Sequence, residues 1–217
     1  MTAPIIINKS NYIIIKHVLS DDVCELLASY ANLKAEMKPN IKKDALKHTH
    51  REYGDFLMET LLCRLHPLIE KATGLELWPT LSFYYTYKNG TRLEKHKDRS
   101  SCQIVAGLCI GADDEFKKGG GQWPLILNIN GNAEPVALDY GDLVIFKGHE
   151  TEHWRETFTG TWFVSAIFGF VDKQGPFAFQ KFDQRHSIGK PHVGMFNWMY
   201  GCMKNQLMKK WLPYLSK

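Results

Sequence analysis

Three residues of this chain have the types and spacing to hold one metal ion: His96 and Asp98, separated by Lys97, and His153, 55 positions beyond Asp98. Two imidazoles and one carboxylate occupy one face of an octahedral Fe(II) and leave positions open for a co-substrate and oxygen. On a β-strand, residues i and i+2 point to the same face, so His96 and Asp98 can reach a metal together while Lys97 faces away. The triplet alone is a weak signal. Nine His and eleven Asp among 217 residues give about half a chance match to His-x-Asp, so its weight depends on the elements that carry it.

Those elements read as two helices followed by many strands. Residues 11–16 form a β-branched run, and residues 20–33 follow with an N-cap Ser20, early acids and apolar residues at helical spacing. Residues 34–51 are basic and polar without periodicity and read as an exposed loop, a candidate lid. A second helix spans about 53–73: Phe56, Leu57, Thr60, Leu61, Leu65, Leu68 and Ile69 form its apolar stripe, and it ends before Gly74. From residue 75 to about 175 the pattern changes to short strands, at 80–87, 93–98, 102–110, 125–129, 136–138, 143–146 and 162–171, punctuated by glycines. This predicts an all-β barrel or double sheet. Residues 194–215 read as a helical tail with Met195, Trp198, Met199, Cys202 and Met203 on one face, suited to core packing or a homodimer contact.

Bulk properties narrow the function classes. A 217-residue chain with 44% hydrophobic residues is sized for one domain over 1–217 with a sizeable core. The net charge of +4 is small and dispersed, and the basic stretch 34–51 lacks interleaved aromatics for stacking, so no nucleic-acid partner is expected. Five cysteines, Cys24, Cys63, Cys102, Cys109 and Cys202, lack a Cys-x-x-Cys pair, which argues for reduced, mostly buried thiols over a disulfide framework or structural zinc. The N-terminus has no signal-peptide pattern and no segment has the apolar length of a membrane span, so a cytoplasmic protein without a membrane partner is expected.

The motifs occur in a recognisable order: Tyr87-x-x-Gly90, then His96-x-Asp98, then Gly141-Asp142 before the strand 143–146, then His153. In this order the segment from about 10 to 175 resembles the Fe(II)- and 2-oxoglutarate-dependent dioxygenases, and within them the prolyl-4-hydroxylase-like branch. The resemblance implies a mainly β fold with α: a double-stranded β-helix, jelly-roll or cupin-like, with N-terminal buttressing helices, to which this chain adds a C-terminal helical extension. It implies Fe(II) on His96, Asp98 and His153, 2-oxoglutarate as co-substrate, and ascorbate as a candidate accessory reductant. The activity implied is hydroxylation of a C–H bond with production of succinate and CO2, a prolyl residue of a peptide or protein being one candidate substrate.

Several positions need weighing against plainer readings. His149 competes with His153 as third ligand. The family pattern of a Gly-Asp strand, a short turn and then a His favours His153, and His149 reads as a turn imidazole. His17, His66, His186 and His192 lack ligand spacing, and His48 and His50 read as surface residues. Tyr87 stands where the family keeps a tyrosine that contacts 2-oxoglutarate; Tyr85 shares its strand face. The family usually has a Lys or Arg about ten residues past the distal His, whereas this chain has Thr161, Trp162 and Phe163. Arg155 is the replacement candidate for the co-substrate carboxylate, with Arg99 behind it and a Lys on another strand third. Trp154 and Trp162 could shield the iron, although packing is their commoner role. Asp142 reads as a turn residue and 113–121 as a solvated loop. Two rival functions stay open: an inactive metal-binding barrel serving as a binding module, and a cupin-type metalloenzyme with another metal.

Overall fold

The β-branched and aromatic runs fold as antiparallel strands in two sheets that face each other. In a computed structural model describing residues 5–37 and 49–189, the elements in chain order are β1 (Ile5–Asn8), β2 (Tyr12–Lys16), α1 (Asp21–Met37), β3 (Thr49–Tyr53), α2 (Phe56–Thr73), β4 (Leu77–Lys88), β5 (Leu93–His96), β6 (Ile104–Ala112), α3 (Asp114–Lys118), β7 (Leu125–Ile129), β8 (Asn132–Val136), β9 (Leu143–Phe146), β10 (His153–Arg155) and β11 (Trp162–Asp172). The large sheet runs β1-β2-β9-β6-β11-β4-β3 and the small sheet β5-β10-β7-β8. This is the expected mainly β, jelly-roll arrangement with helices outside the barrel.

The large sheet sorts its side chains by the period of two. Tyr84 and Thr86 of β4 face the helices, where Leu27, Ala28 and Ala31 of α1 and Met58, Leu62, Leu65 and Ile69 of α2 fill the outer layer. Phe83, Tyr85 and Tyr87 face the small sheet. Inside the barrel, Leu81, Val105, Val144 and Phe146 of the large sheet meet Leu125, Leu127 and Val136 of the small one. The central strands β4, β6, β9 and β11 of the large sheet are therefore buried on both faces, which makes them rigid supports for anything placed between the sheets.

Several sequence expectations change, among them the solvated loop 113–121, of which Asp114–Lys118 is the short helix α3 capped by Asp113. α1 continues to Met37, because Lys34, Ala35, Glu36 and Met37 are all good helix formers. Residues 49–51 are not loop but the start of β3, which pairs Arg51 with Tyr85 across β4; a short edge strand of polar residues has no local signature. His50 is accordingly buried at 8% exposure rather than on the surface. Phe56, placed in the apolar stripe of the second helix, is 73% exposed, and Met58 and Leu62 take the buried side instead. Residues 38–48, including His48, the tail 194–215 and His192 lie outside the described residues. Among the described residues no helix is long and apolar enough to cross a membrane. Cys24, Cys102 and Cys109 are free and buried, whereas Cys63 is free and exposed.

Asp55 joins the two helices. It is the N-cap of α2, its Oδ1 accepting from the backbone N–H groups of Leu57 (3.0 Å) and Met58 (3.3 Å), while its Oδ2 accepts from Tyr30 (2.6 Å) and Lys34 (2.7 Å) of α1. Burial pushes its pKa up, but the bonds from Lys34 and Tyr30 outweigh it and leave the carboxyl below its ordinary value. The unfolded chain therefore takes up this proton more readily than the native protein. The stabilisation is complete above about pH 4 and is lost as pH falls through the lower native pKa. Asp55→Ala is expected to cost about 2–3 kcal/mol in urea unfolding at pH 7, with the gap to the wild type narrowing under acid conditions.

Candidate metal centre

The metal donors meet because β5 and β10 pair antiparallel with His153 opposite His96, the register shifting by one residue before Arg155 faces Leu93. His153, the first residue of β10, stands opposite His96, the last of β5, and is bounded on its other side by Leu127 of β7. The two rings are 4.2 Å apart. β5 stops at His96, so Asp98 is not on the strand with it, contrary to the expectation from i, i+2 alternation. Asp98 is brought back by a backbone bond from its N–H to the Gly148 carbonyl at 2.9 Å, just beyond β9. Its Oδ1 lies 3.7 Å from His96 Nε2 and its Oδ2 3.7 Å from His153 Nε2. One donor atom from each of the three residues falls within 4.8 Å of the others.

The donors are prepared for a cation. Nδ1 of His96 lies 2.9 Å from the Glu94 carbonyl and Nδ1 of His153 2.9 Å from that of Thr151. A carbonyl only accepts, so each Nδ1 holds the proton and each Nε2 turns its lone pair toward Asp98. Burial lowers the pKa of His153 while Asp98 acts in the opposite direction, and a neutral imidazole is the form that ligates. The set of two nitrogens and one carboxylate suits a mid first-row metal and leaves coordination sites free. His149 is not part of it: its Nδ1 is 3.3 Å from the Gln103 carbonyl and its ring meets Phe177 edge-on at 5.0 Å.

Behind the donors lies a cavity of ≈ 600 Å³, its open mouth included, lined by apolar residues of both sheets and by Tyr85, Tyr87, Ser165 and Arg155. Alternation on β10 decides its contents: His153 and Arg155 point in, while Trp154 points out, under the Lys95 ammonium at 4.3 Å. Arg155 is buried. Its guanidinium donates to the Trp123 carbonyl and lies 4.7 Å from the Trp123 ring and 5.1 Å from that of Phe163. Among the described residues no carboxylate pairs with it. Burial pushes its pKa down, yet a guanidinium stays charged, so a cation sits in the cavity without a counter-charge. Phe163 is the residue ten places past His153, and the Arg155 guanidinium from β10 lies against its ring across the barrel.

Tyr87 stacks on Tyr85 at 5.4 Å and meets Trp123 edge-on at 4.9 Å. Burial raises its pKa, against Arg155 and a hydrogen bond with Ser165, so the phenol keeps its proton and can donate it. Arg99, the second candidate for the co-substrate, does not line the cavity; it pairs with Asp183 at 2.7 Å. Trp162 packs on the helix side of the large sheet, so neither tryptophan shields the metal donors. Asp142 is wholly buried and anchors the turn before β9, accepting from the N–H groups of His17 (3.0 Å) and Asp139 (2.9 Å). Three residues carried no sequence signal for this site: Trp123, Ser165 and Gly148. A Cβ on Gly148 would overlap the Asp98 carboxylate and Val105 and lie 2.9 Å from the Cys102 carbonyl.

No family model and no curated protein matches the sequence. The structure is similar to solved ones. A Pseudomonas putida prolyl-4-hydroxylase is 18% identical, with 76% of this chain and 94% of that one covered at a TM-score of 0.59. The non-heme α-ketoglutarate-dependent epimerase SnoN from nogalamycin biosynthesis is 14% identical, with 85% and 88% covered at 0.62. HygX from Streptomyces hygroscopicus, with nickel and 2-oxoglutarate bound, is 12% identical, with 76% and 84% covered at 0.55. With the two-sheet barrel and the His96, Asp98 and His153 cluster at its mouth, these likenesses give the chain the fold of the Fe(II)- and 2-oxoglutarate-dependent oxygenases.

Proposed function

We propose that this protein is an Fe(II)- and 2-oxoglutarate-dependent oxygenase that hydroxylates C–H bonds. The observation that carries the reading is the buried guanidinium of Arg155, without a carboxylate partner among the described residues, in the same cavity as three convergent metal donors. His96, Asp98 and His153 would hold the metal, and Arg155 would receive the carboxylate of 2-oxoglutarate remote from it. Charge supports this pairing. A divalent metal less the charge of Asp98, together with Arg155, leaves two positive charges in a largely apolar cavity, and 2-oxoglutarate is a dianion. When bound, the metal and 2-oxoglutarate supply the oxidising chemistry, consuming O2 and releasing succinate and CO2 as one oxygen atom enters the substrate. The chain's own part is to bind and orient. Tyr87 donates a hydrogen bond toward the co-substrate, the Trp123 and Phe163 rings keep water from Arg155, and the exposed edge of His96 leaves the metal open toward the mouth.

The substrate is set by the mouth of the barrel rather than by the fold, because similar structures include both a prolyl-4-hydroxylase and an epimerase. A prolyl residue in a peptide or protein is the first class to test. The inactive-barrel alternative arose from the missing cation at residues 161–163, and Arg155 supplies a cation from another strand. A cupin-type enzyme with another metal is separated by co-substrate binding, because only the oxygenase requires 2-oxoglutarate.

Purified protein is expected to convert 2-oxoglutarate to succinate only with Fe(II), and His96→Ala or Asp98→Ala should reduce this to background. Absence of Fe(II)-dependent 2-oxoglutarate binding in the wild type would sink the reading. Arg155→Ala should raise the KM for 2-oxoglutarate by about 30-fold or more, with Arg155→Lys recovering only part because an ammonium lacks the planar fork. Gly148→Ala should weaken metal binding by about tenfold or more in a Mn(II) titration by displacing Asp98, while circular dichroism still shows the β-rich fold.

A further inference from the structure

The segment after β11 contains the largest backbone anomaly among the described residues. Phe182, Asp183 and Gln184 are consecutive and have φ of 56°, 54° and 58°, a left-handed conformation that L side chains disfavour and that persists only where the surroundings impose it. The surroundings here are strong. Arg185, with a side chain 1% exposed, pairs with the buried Glu59 of α2 at 2.6 Å and donates to the Thr80 carbonyl at 3.0 Å, and the Gly189 N–H also donates to Glu59. This conformation turns the buried Asp183 carboxylate toward two donors, the Tyr53 hydroxyl at 2.6 Å and Arg99 Nη2 at 2.7 Å.

Arg99 immediately follows the metal donor Asp98. Its side chain is 56% exposed, so the guanidinium does not need Asp183 to satisfy it; water would serve. The pair acts as a tether. Neighbouring contacts grip the same stretch: Gln180 Nε2 donates to Ser100 Oγ at 3.3 Å, and Gln103 Oε1 accepts from the Asp172 N–H at 2.9 Å. The need for a tether is specific to Asp98. His96 and His153 are held by the β5–β10 ladder, but Asp98 lies beyond the end of β5, with one backbone bond to Gly148 to locate it.

We infer that Arg99 and Asp183 are positioning residues of the metal centre: the strained segment holds Arg99, and through it the Asp98 carboxylate, in register with His96 and His153. This rests on the metal site of the proposed function but not on its turnover. Its test is metal binding by the full chain without 2-oxoglutarate, read as Mn(II) affinity and as the visible absorption of bound Co(II), which reports the ligand geometry. Arg99→Ala and Asp183→Asn are each expected to weaken Mn(II) binding about 10–100-fold and to alter the Co(II) spectrum. The double variant should bind no more weakly than the worse single, and Arg99→Lys should restore most of the affinity. Arg99→Ala leaves Asp183 bonded to Tyr53, so it reports on the tether even where Asp183→Asn loosens the fold. Single variants with affinity within about twofold of the wild type and an unchanged spectrum, or losses that multiply in the double variant, would overturn the inference. Wild-type metal binding that depends on the tether, without 2-oxoglutarate turnover, would overturn the oxygenase reading alone.

Discussion

The centre depends on the register of one three-residue strand. β10 is held between β5 and β7, with His153 opposite both His96 and Leu127. Because side chains alternate, that register sends His153 and Arg155 into the barrel and Trp154 out. A slip of one residue would expel both His153 and Arg155 and put the indole in their place. The strand is too short to fix its own register. Its neighbours fix it, and the central strands of the large sheet behind them are packed on both faces, so the small sheet closes against a support that does not yield.

Burying Arg155 has a cost that the protein leaves uncompensated by any carboxylate among the described residues. The Trp123 carbonyl and the faces of Trp123 and Phe163 solvate the guanidinium in part, but its charge is unmatched. Together with a divalent cation on His96, Asp98 and His153, it would make the cavity attractive to an anion. The same burial keeps Tyr87 protonated and His153 neutral. One physical condition, exclusion of water between the sheets, thus prepares donor, ligand and cation at once.

The metal donors are supported unequally. Both imidazoles are fixed by backbone carbonyls two residues before them and by the strand ladder. Asp98 depends on loop contacts instead, from Gly148 on one side and the Arg99–Asp183 pair on the other. The buried Glu59–Arg185 pair links that loop to α2, whose own start is fixed to α1 through Asp55. The outer helices are therefore joined to the metal site by three ion pairs, Arg99–Asp183, Arg185–Glu59 and Lys34–Asp55, with stretches of backbone between them.

The amino-acid sequence determined what could be carried by local pattern. The helix ended by Gly74, the strands at 125–129 and 143–146, and the ligand types all follow from residue identity and periodicity. The order of motifs also marked His153 over His149. Tertiary structure decided whatever depends on partners distant in the chain. β3 has no apolar alternation and is a strand only because β4 lies beside it. Asp98 reaches the two histidines by way of Gly148 rather than by strand alternation, and Arg99, next to it in sequence, turns away to Asp183. Phe163 carries no charge, and the Arg155 guanidinium from the facing sheet lies against its ring. Sequence spacing fixes distances along a strand, but the contents of a barrel interior are set across it, by strands whose register no local pattern records.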